Sequence, residues 1–240
     1  MVEVGLGGDM TAAAEAEEWA EAYKEGKKMT TSCCPAFVNM IKQHFPMLLD
    51  NMSTTVSPMC AVSRFLKEQD PETTTVFIGP CIAKKSETLD LNIQDNADYA
   101  MTFGEIRAMM RAKGVELEPE ENNYQESSVF GKRFGNGGGV TAAVVQCFEE
   151  MGEDIKPEVM KCNGAAECKK ALLLMKVGKL PADFVEGMAC VGGCVGGPSK
   201  HKTENEAKKA RDTLIASADK RNVHENLKKV GADKVHMHRQ

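Results

Sequence analysis

The chain has 240 residues, 42% of them hydrophobic and 27% charged, with a formal net charge of −5. Length and composition suit one globular domain or two lobes, and the acidic balance excludes an electrostatic case for nucleic acid or an anionic membrane as partner. No apolar run approaches the roughly 20 residues that span a bilayer, and the first residues lack a charged-then-apolar export pattern, so a cytoplasmic location is expected. Nine cysteines, an odd number, argue against a disulfide framework and for ligation or redox work.

In chain order, Met1 to Gly8 is Gly-rich and apolar and reads as the end of a strand. A helix is expected from Asp9 to Lys24, stopped by Gly26. Its glutamates Glu15, Glu17, Glu18 and Glu21 read as a solvated face before a proton path. The segment Thr30-Thr31-Ser32-Cys33-Cys34-Pro35 then leads into a helix over Ala36 to Phe45, with Pro35 suited to its first turn. Vicinal thiols at a helix N-terminus should have lowered pKa values, and one can bind metal while the other stays free.

Ser53 and Ser57 precede a helix opened by Pro58, in which Cys60 reads as a small core residue. A buried strand is expected over Thr74 to Ile78, running into Gly79-Pro80-Cys81-Ile82-Ala83-Lys84-Lys85-Ser86-Glu87. A cysteine followed three residues on by a lysine, at the carboxyl end of a strand, sits where α/β folds place ligands. Asp98 to Met101 reads as a short strand, and Thr102 with Glu105 forms a capping box for a helix ending at Gly114. Leu117 to Gln125 reads as an acidic loop.

The run Phe130 to Gly139 lacks the Lys-Ser/Thr ending of a nucleotide loop. Close approach of its backbone to a cofactor is the better reading. A helix then carries Cys147 and Phe148. Cys162, on a short strand, and Cys168, on the following helix, could be ligands, a redox pair or core thiols. The stretch from Glu186 through Met188-Ala189-Cys190-Val191-Gly192-Gly193-Cys194-Val195-Gly196-Gly197 to Pro198 sets two thiols in a glycine loop. It reads either as a turn with two incidental thiols or as a nest for a soft metal or iron–sulfur cluster. Residues 201–240 read as a charged helical extension with no sign of chemistry. Strands interleaved with helices give an α/β class.

Thr31-Ser32-Cys33-Cys34-Pro35, Pro80-Cys81 through Glu87, and Met188 through Gly197, in that order, resemble the catalytic domain of the [FeFe]-hydrogenases over about residues 10 to 200. The variants around Gly79-Pro80 and Gly197-Pro198-Ser199-Lys200 are similar to a divergent clostridial-type branch. The resemblance implies a two-lobed α/β fold with the cluster between the lobes, residues 1–240 forming one catalytic domain. It implies that the chain begins inside that domain, leaving the first lobe incomplete, without the family's opening strands and ferredoxin-like modules.

It further implies that Cys34, Cys81, Cys190 and Cys194 hold a [4Fe–4S] cubane, with Cys194 bridging to a diiron subcluster that carries CO, CN and a dithiolate. Cys33 would be the proton-passing thiol, with Ser53 and Glu17 behind it on the proton path. Lys84, Ser57, Met188 and Pro80 would surround the subcluster. The outer glutamate of that path falls near Ala14 and its arginine near Glu21, so the route looks interrupted, and Gly79 stands where the family has a methionine. The implied activity is reversible oxidation of H2, with ferredoxin as electron partner and maturation proteins building the diiron site. Two alternatives share the fold: a hydrogen-sensing regulator, and a Narf-like iron–sulfur assembly factor with no diiron site.

Overall fold

In a computed structural model, residues 1–116, 118, 125–218 and 220–239 are described; most of the loop expected over Leu117 to Gln125 lies outside them. The central element is α1 (Val4–Lys24). Its start corrects the strand expected over Met1 to Gly8: Gly5, Gly7 and Gly8 are helical. The reason is packing. A Cβ on Gly7 would sit 2.1 Å from the carbonyl oxygen of Pro58, so glycine there lets α3 (Pro58–Gln69) cross against the helix backbone. At the other end the expected stop holds, with Gly26 at φ 67°.

One sheet is built from β1 (Met29–Thr30), β5 (Phe184–Met188) and β4 (Val159–Asn163), all parallel in the order β1-β5-β4. Every residue of β5 is buried, as a parallel sheet covered on both faces requires. Phe184 packs on one face in the larger core, stacked on Trp19 of α1 with ring centroids 4.2 Å apart. Val185 faces the other way, into a second core with Phe37 and Ile41 of α2 (Pro35–His44) and Leu172 of α8 (Ala165–Lys176). Cys162 and Cys168 are both buried in this second core. On the first face, α7 (Gly139–Met151) is capped by the Glu186 carboxylate, which accepts from the Gly138 and Thr141 backbone N–H groups at 2.7 and 2.9 Å.

The second lobe carries β2 (Val76–Gly79) and β3 (Tyr99–Thr102), a parallel pair, with the short α4 (Lys84–Glu87) and α5 (Phe103–Ala112). The Thr102–Glu105 capping box forms as expected. The expected buried strand does not: Val76 and Ile78 are 45% and 43% exposed, Ile78 lying on the wall of a cavity, and no residue of α5 beside them is buried. A short helix, α6 (Val129–Arg133), opens the glycine run, started by Ser128. Ser128 is held by the buried carboxylate of Asp9 on α1, its N–H donating at 2.7 Å. Asn226 of α10 (Val223–Val230) donates to the same carboxylate at 2.8 Å. The segment from residue 201 divides in two. In α9 (Glu204–Ala216) only Ile215 is recorded as buried, whereas Val223, Leu227, Val235 and Met237 belong to the larger core.

Candidate metal centre

The strands place the chemistry. Cys33 and Cys34 follow β1, Cys81 follows β2 and Cys190 follows β5, so the thiols gather beyond the carboxyl ends of parallel strands drawn from both lobes. Cys34, Cys81, Cys190 and Cys194 all line one cavity of about 380 Å³, and Cys33, Lys84, Pro80 and Met188 line it too. Among the described residues, no three His, Cys, Asp or Glu side chains meet around a single ion. The four thiols surround a shared space instead, as suits a cluster that takes one thiolate per iron.

The loop that brings in Cys190 and Cys194 depends on glycine. Gly193 sits at φ 75°, and a Cβ there would lie 2.3 Å from the Gly135 carbonyl oxygen. That carbonyl accepts the Cys194 N–H at 2.8 Å, so the glycine run after Phe130 closes on the cysteine loop. Cys194 counts as exposed, but the space it faces is the cavity itself. Burial, and then the neighbouring Cys34 and Cys81 sulfurs, push its thiol up to about 12. Burial likewise raises Cys34 and Cys190. Thiols kept neutral in this way lose their protons outright on metal ligation.

Cys33 is also buried, and its thiol is raised well above the ordinary value, first by desolvation and then by the Glu15 carboxylate. This corrects the lowered pKa expected for a helix N-terminus. The N-cap of α2 is Cys34, and loss of water outweighs the dipole at its neighbour. The result is a neutral thiol at the cavity wall, able to give and to take a proton.

Lys84 is 8% exposed and bonded on two sides, its Nζ donating to Ser57 Oγ at 2.7 Å and Glu87 Oε2 at 2.6 Å. Burial, the largest influence, would lower its pKa, but Glu87 together with the Cys60 and Cys81 sulfurs outweighs it and the net shift is upward. A cation is thus fixed at the cavity. Met188 is 3% exposed at the end of β5. Beside Gly79, the Phe77 ring lies 2.6 Å from where a Cβ would stand, and that ring lines the cavity. Cys60 is buried as expected and donates to Asn96 Oδ1 at 2.9 Å.

Behind Cys33 the structure arranges carboxylates differently from the sequence expectation. Glu17 is exposed, while Ser53 is fully buried and its Oγ donates to Glu18 Oε2 at 2.5 Å. Glu15, also fully buried, accepts the Ser32 N–H at 3.2 Å. Burial raises its carboxyl to about 8, with the Ser53 hydroxyl among the groups that oppose the rise. Cys33, Glu15, Ser53 and Glu18 therefore stand in file: the Glu15 carboxylate acts on the Cys33 thiol, and the Ser53 hydroxyl lies between Glu15 and Glu18. Ala14 and Glu21 supply neither the outer glutamate nor the arginine of the expected route, but Glu15 and Glu18 stand three apart and share a helix face. That spacing was the available signal. Glu87 closes the motif Pro80-Cys81 through Glu87 but was given no role there, and nothing in the sequence pointed to Arg239, whose Nη2 donates to the Ser32 carbonyl at 3.0 Å and lies 3.8 Å from Glu87.

A parallel-stranded α/β fold with four thiols closing on one cavity between two lobes defines an iron–sulfur class of protein. The family model described as "Iron only hydrogenase large subunit, C-terminal domain" matches residues 1–198, and the chain belongs to that family. It is 26% identical to iron hydrogenase 1 of Clostridium pasteurianum over 93% of this chain and 49% of that protein. It is 28% identical to the periplasmic [Fe] hydrogenase large subunit of Nitratidesulfovibrio vulgaris, over 79% and 56%. A probable cytosolic Fe-S cluster assembly factor of Brugia malayi is 23% identical over 96% and 62%. The chain thus spans about half the length of the first two of these relatives. An apo [FeFe]-hydrogenase from Chlamydomonas reinhardtii shares the fold with a TM-score of 0.72 at 19% identity, over 99% of this chain and 83% of that one. No helix among the described residues is long and apolar enough to cross a membrane.

Proposed function

We propose that the chain catalyses the reversible reaction H2 = 2 H+ + 2 e−, in the cytoplasm, at a [4Fe–4S] cubane linked to a diiron subcluster. Cys34, Cys81, Cys190 and Cys194 are the cubane ligands in this reading. The fit rests on the donor set: four thiols around one cavity, a set suited to iron. When bound, the two metal centres supply electron transfer and the chemistry of the H–H bond. The protein's own side chains do the rest. Lys84, oriented by Ser57 and Glu87, would present a fixed ammonium to anionic ligands of the subcluster when it is bound. Pro80, Met188 and the Phe77 ring keep the wall apolar and exclude water. Cys33 exchanges protons between the cavity and Glu15, which passes them along Ser53 and Glu18.

The observation that carries this reading is that Cys33, a fifth thiol beyond the four ligands, shares the cavity with the buried Lys84. A protein that only stores or transfers a cubane has no use for either group there, which weighs against the assembly-factor reading that relatives such as the Brugia malayi protein raise. A ferredoxin-type carrier would exchange the electrons, and dedicated maturation proteins would supply the diiron unit.

Reconstitution with iron and sulfide tests the ligand set. Cys81→Ala should abolish stable cubane binding, with iron content and cluster absorption falling together, whereas Cys60→Ala should retain both. Full iron in Cys81→Ala would refute the assignment.

A further inference from the structure

We propose that His238, on the C-terminal tail, is the outermost group of the proton file and carries protons between Glu18 and solvent. The inference rests on the hydrogenase reading and extends it to a segment where the sequence suggested no chemistry.

Three observations place His238. Its Nδ1 lies 2.8 Å from Thr54 Oγ1 and 3.3 Å from Glu18 Oε1. Thr54 in turn donates both its hydroxyl and its backbone N–H to Glu18, the latter at 3.0 Å. The ring is 38% exposed, against 15% for the Glu18 side chain, so His238 is the group of the pair that meets water.

The tail is held firmly enough for this geometry to persist. Met237 accepts the Val56 N–H at 2.7 Å, and the Arg239 N–H donates to the Thr54 carbonyl at 2.8 Å. Arg64 Nη1 from α3 donates to the carbonyls of His236 and His238 at 2.7 and 3.0 Å. Val235 and Met237 are buried in the larger core.

The hydrogen-bond pattern gives a balanced transfer in which no electrons move. A proton from bulk solvent adds to Nε2, which has no partner among the described residues. The imidazolium then gives its Nδ1 proton to Thr54 Oγ1 as that hydroxyl passes its own proton to Glu18. The ring is left neutral with its proton on Nε2; release of that proton to water with uptake of another at Nδ1, and rotation of the Thr54 hydroxyl, restore the start with no net change. Outward transfer is the reverse. The charged and titratable groups facing His238 are Glu18 from α1, Arg64 from α3, and His236 and Arg239 from its own tail; the His236 and His238 ring centroids are 5.9 Å apart.

The test uses the full chain in two states. In the metal-free protein, heteronuclear NMR reads which nitrogen of the neutral His238 ring carries the proton. Thr54 already donates its hydroxyl to Glu18, so Nδ1 should carry it and donate to Thr54; a ring protonated on Nε2 alone would overturn the pairing. In the matured protein, His238→Asn keeps an amide where Nδ1 bonds Thr54 but cannot carry a proton. Hydrogen turnover per intact cluster should fall about tenfold or more, less than for a group touching the cavity because water can partly substitute. Added imidazole should restore it. Unchanged turnover in His238→Asn, with the wild type active, would overturn the relay alone, and so would a loss that imidazole leaves in place. A wild-type chain holding both metal centres but turning over no hydrogen would overturn the hydrogenase reading, and the relay with it.

Discussion

Cys33 and Glu15 are both buried acids held neutral, and the proposed proton handling turns on them. For Cys33, the serine variant keeps a group of similar reach whose proton is much harder to remove. Cys33→Ser and Cys33→Ala should assemble both metal centres yet lose at least about 10²-fold in turnover, the usual scale for a positioned acid–base group. Turnover near wild type per intact cluster would make Cys33 structural. For Glu15 the sign of the pH effect follows from its carboxyl being raised to about 8. The folded state then binds more protons than the unfolded chain between the ordinary carboxylate range and pH 8. Stability from this group is full at low pH and is lost as pH rises through that window. Urea midpoints of the metal-free protein should therefore fall from pH 5 to 8, and Glu15→Gln should flatten the fall. An equal slope in the variant would contradict the burial argument. At this scale the thiols were legible, because ligation demands cysteine itself at set places in three motifs. The carboxylates were not, since which of Glu15, Glu17 and Glu18 turns inward depends on what packs against α1.

Helix α1 shows the same division among elements. Its period from Asp9 onward and its stop at Gly26 could be read directly. Its glycine-rich start could not, because those glycines serve a contact with a helix some fifty residues further on. Gly7→Ala should destabilise the fold by about 1–3 kcal/mol, the cost of overpacking, despite alanine's better helix propensity. Gly26→Ala meets no neighbour within 4 Å and strains only its positive φ, so about 1 kcal/mol is expected. Chemical denaturation of the metal-free protein checks both, and a stabilising Gly7→Ala would mean that α1 and α3 do not cross as described. The pair β2–β3 carries a related lesson. A run of apolar residues reads as buried by default, yet Val76 and Ile78 keep large exposures because burial depends on a covering layer outside the strand.

Across the whole molecule, the fold class was legible from strands interleaved with helices, and the meeting of distant motifs from their resemblance to a family. Of the strand ends that carry the thiols, the one before Cys81 was expected, whereas β1 and β5 were not, being short or set beside glycine. The last forty residues were not legible either. Their charge hid the apolar positions of α10 and the tail, which complete the larger core and place His238 against Glu18. Leu227→Ala should cost about 2–5 kcal/mol as a buried truncation, while the half-exposed Leu214 on α9 should tolerate alanine within about 0.5 kcal/mol; equal effects would contradict this division of the segment. The central claim concerns the cavity where the lobes meet, and infrared spectroscopy of the anaerobically matured chain tests it most directly, read beside hydrogen turnover on the same sample. The account predicts carbonyl and cyanide bands, four thiolate-bound irons besides the diiron pair, and measurable turnover. A full cubane with no such bands would contradict it and leave the chain an iron–sulfur protein without hydrogen chemistry.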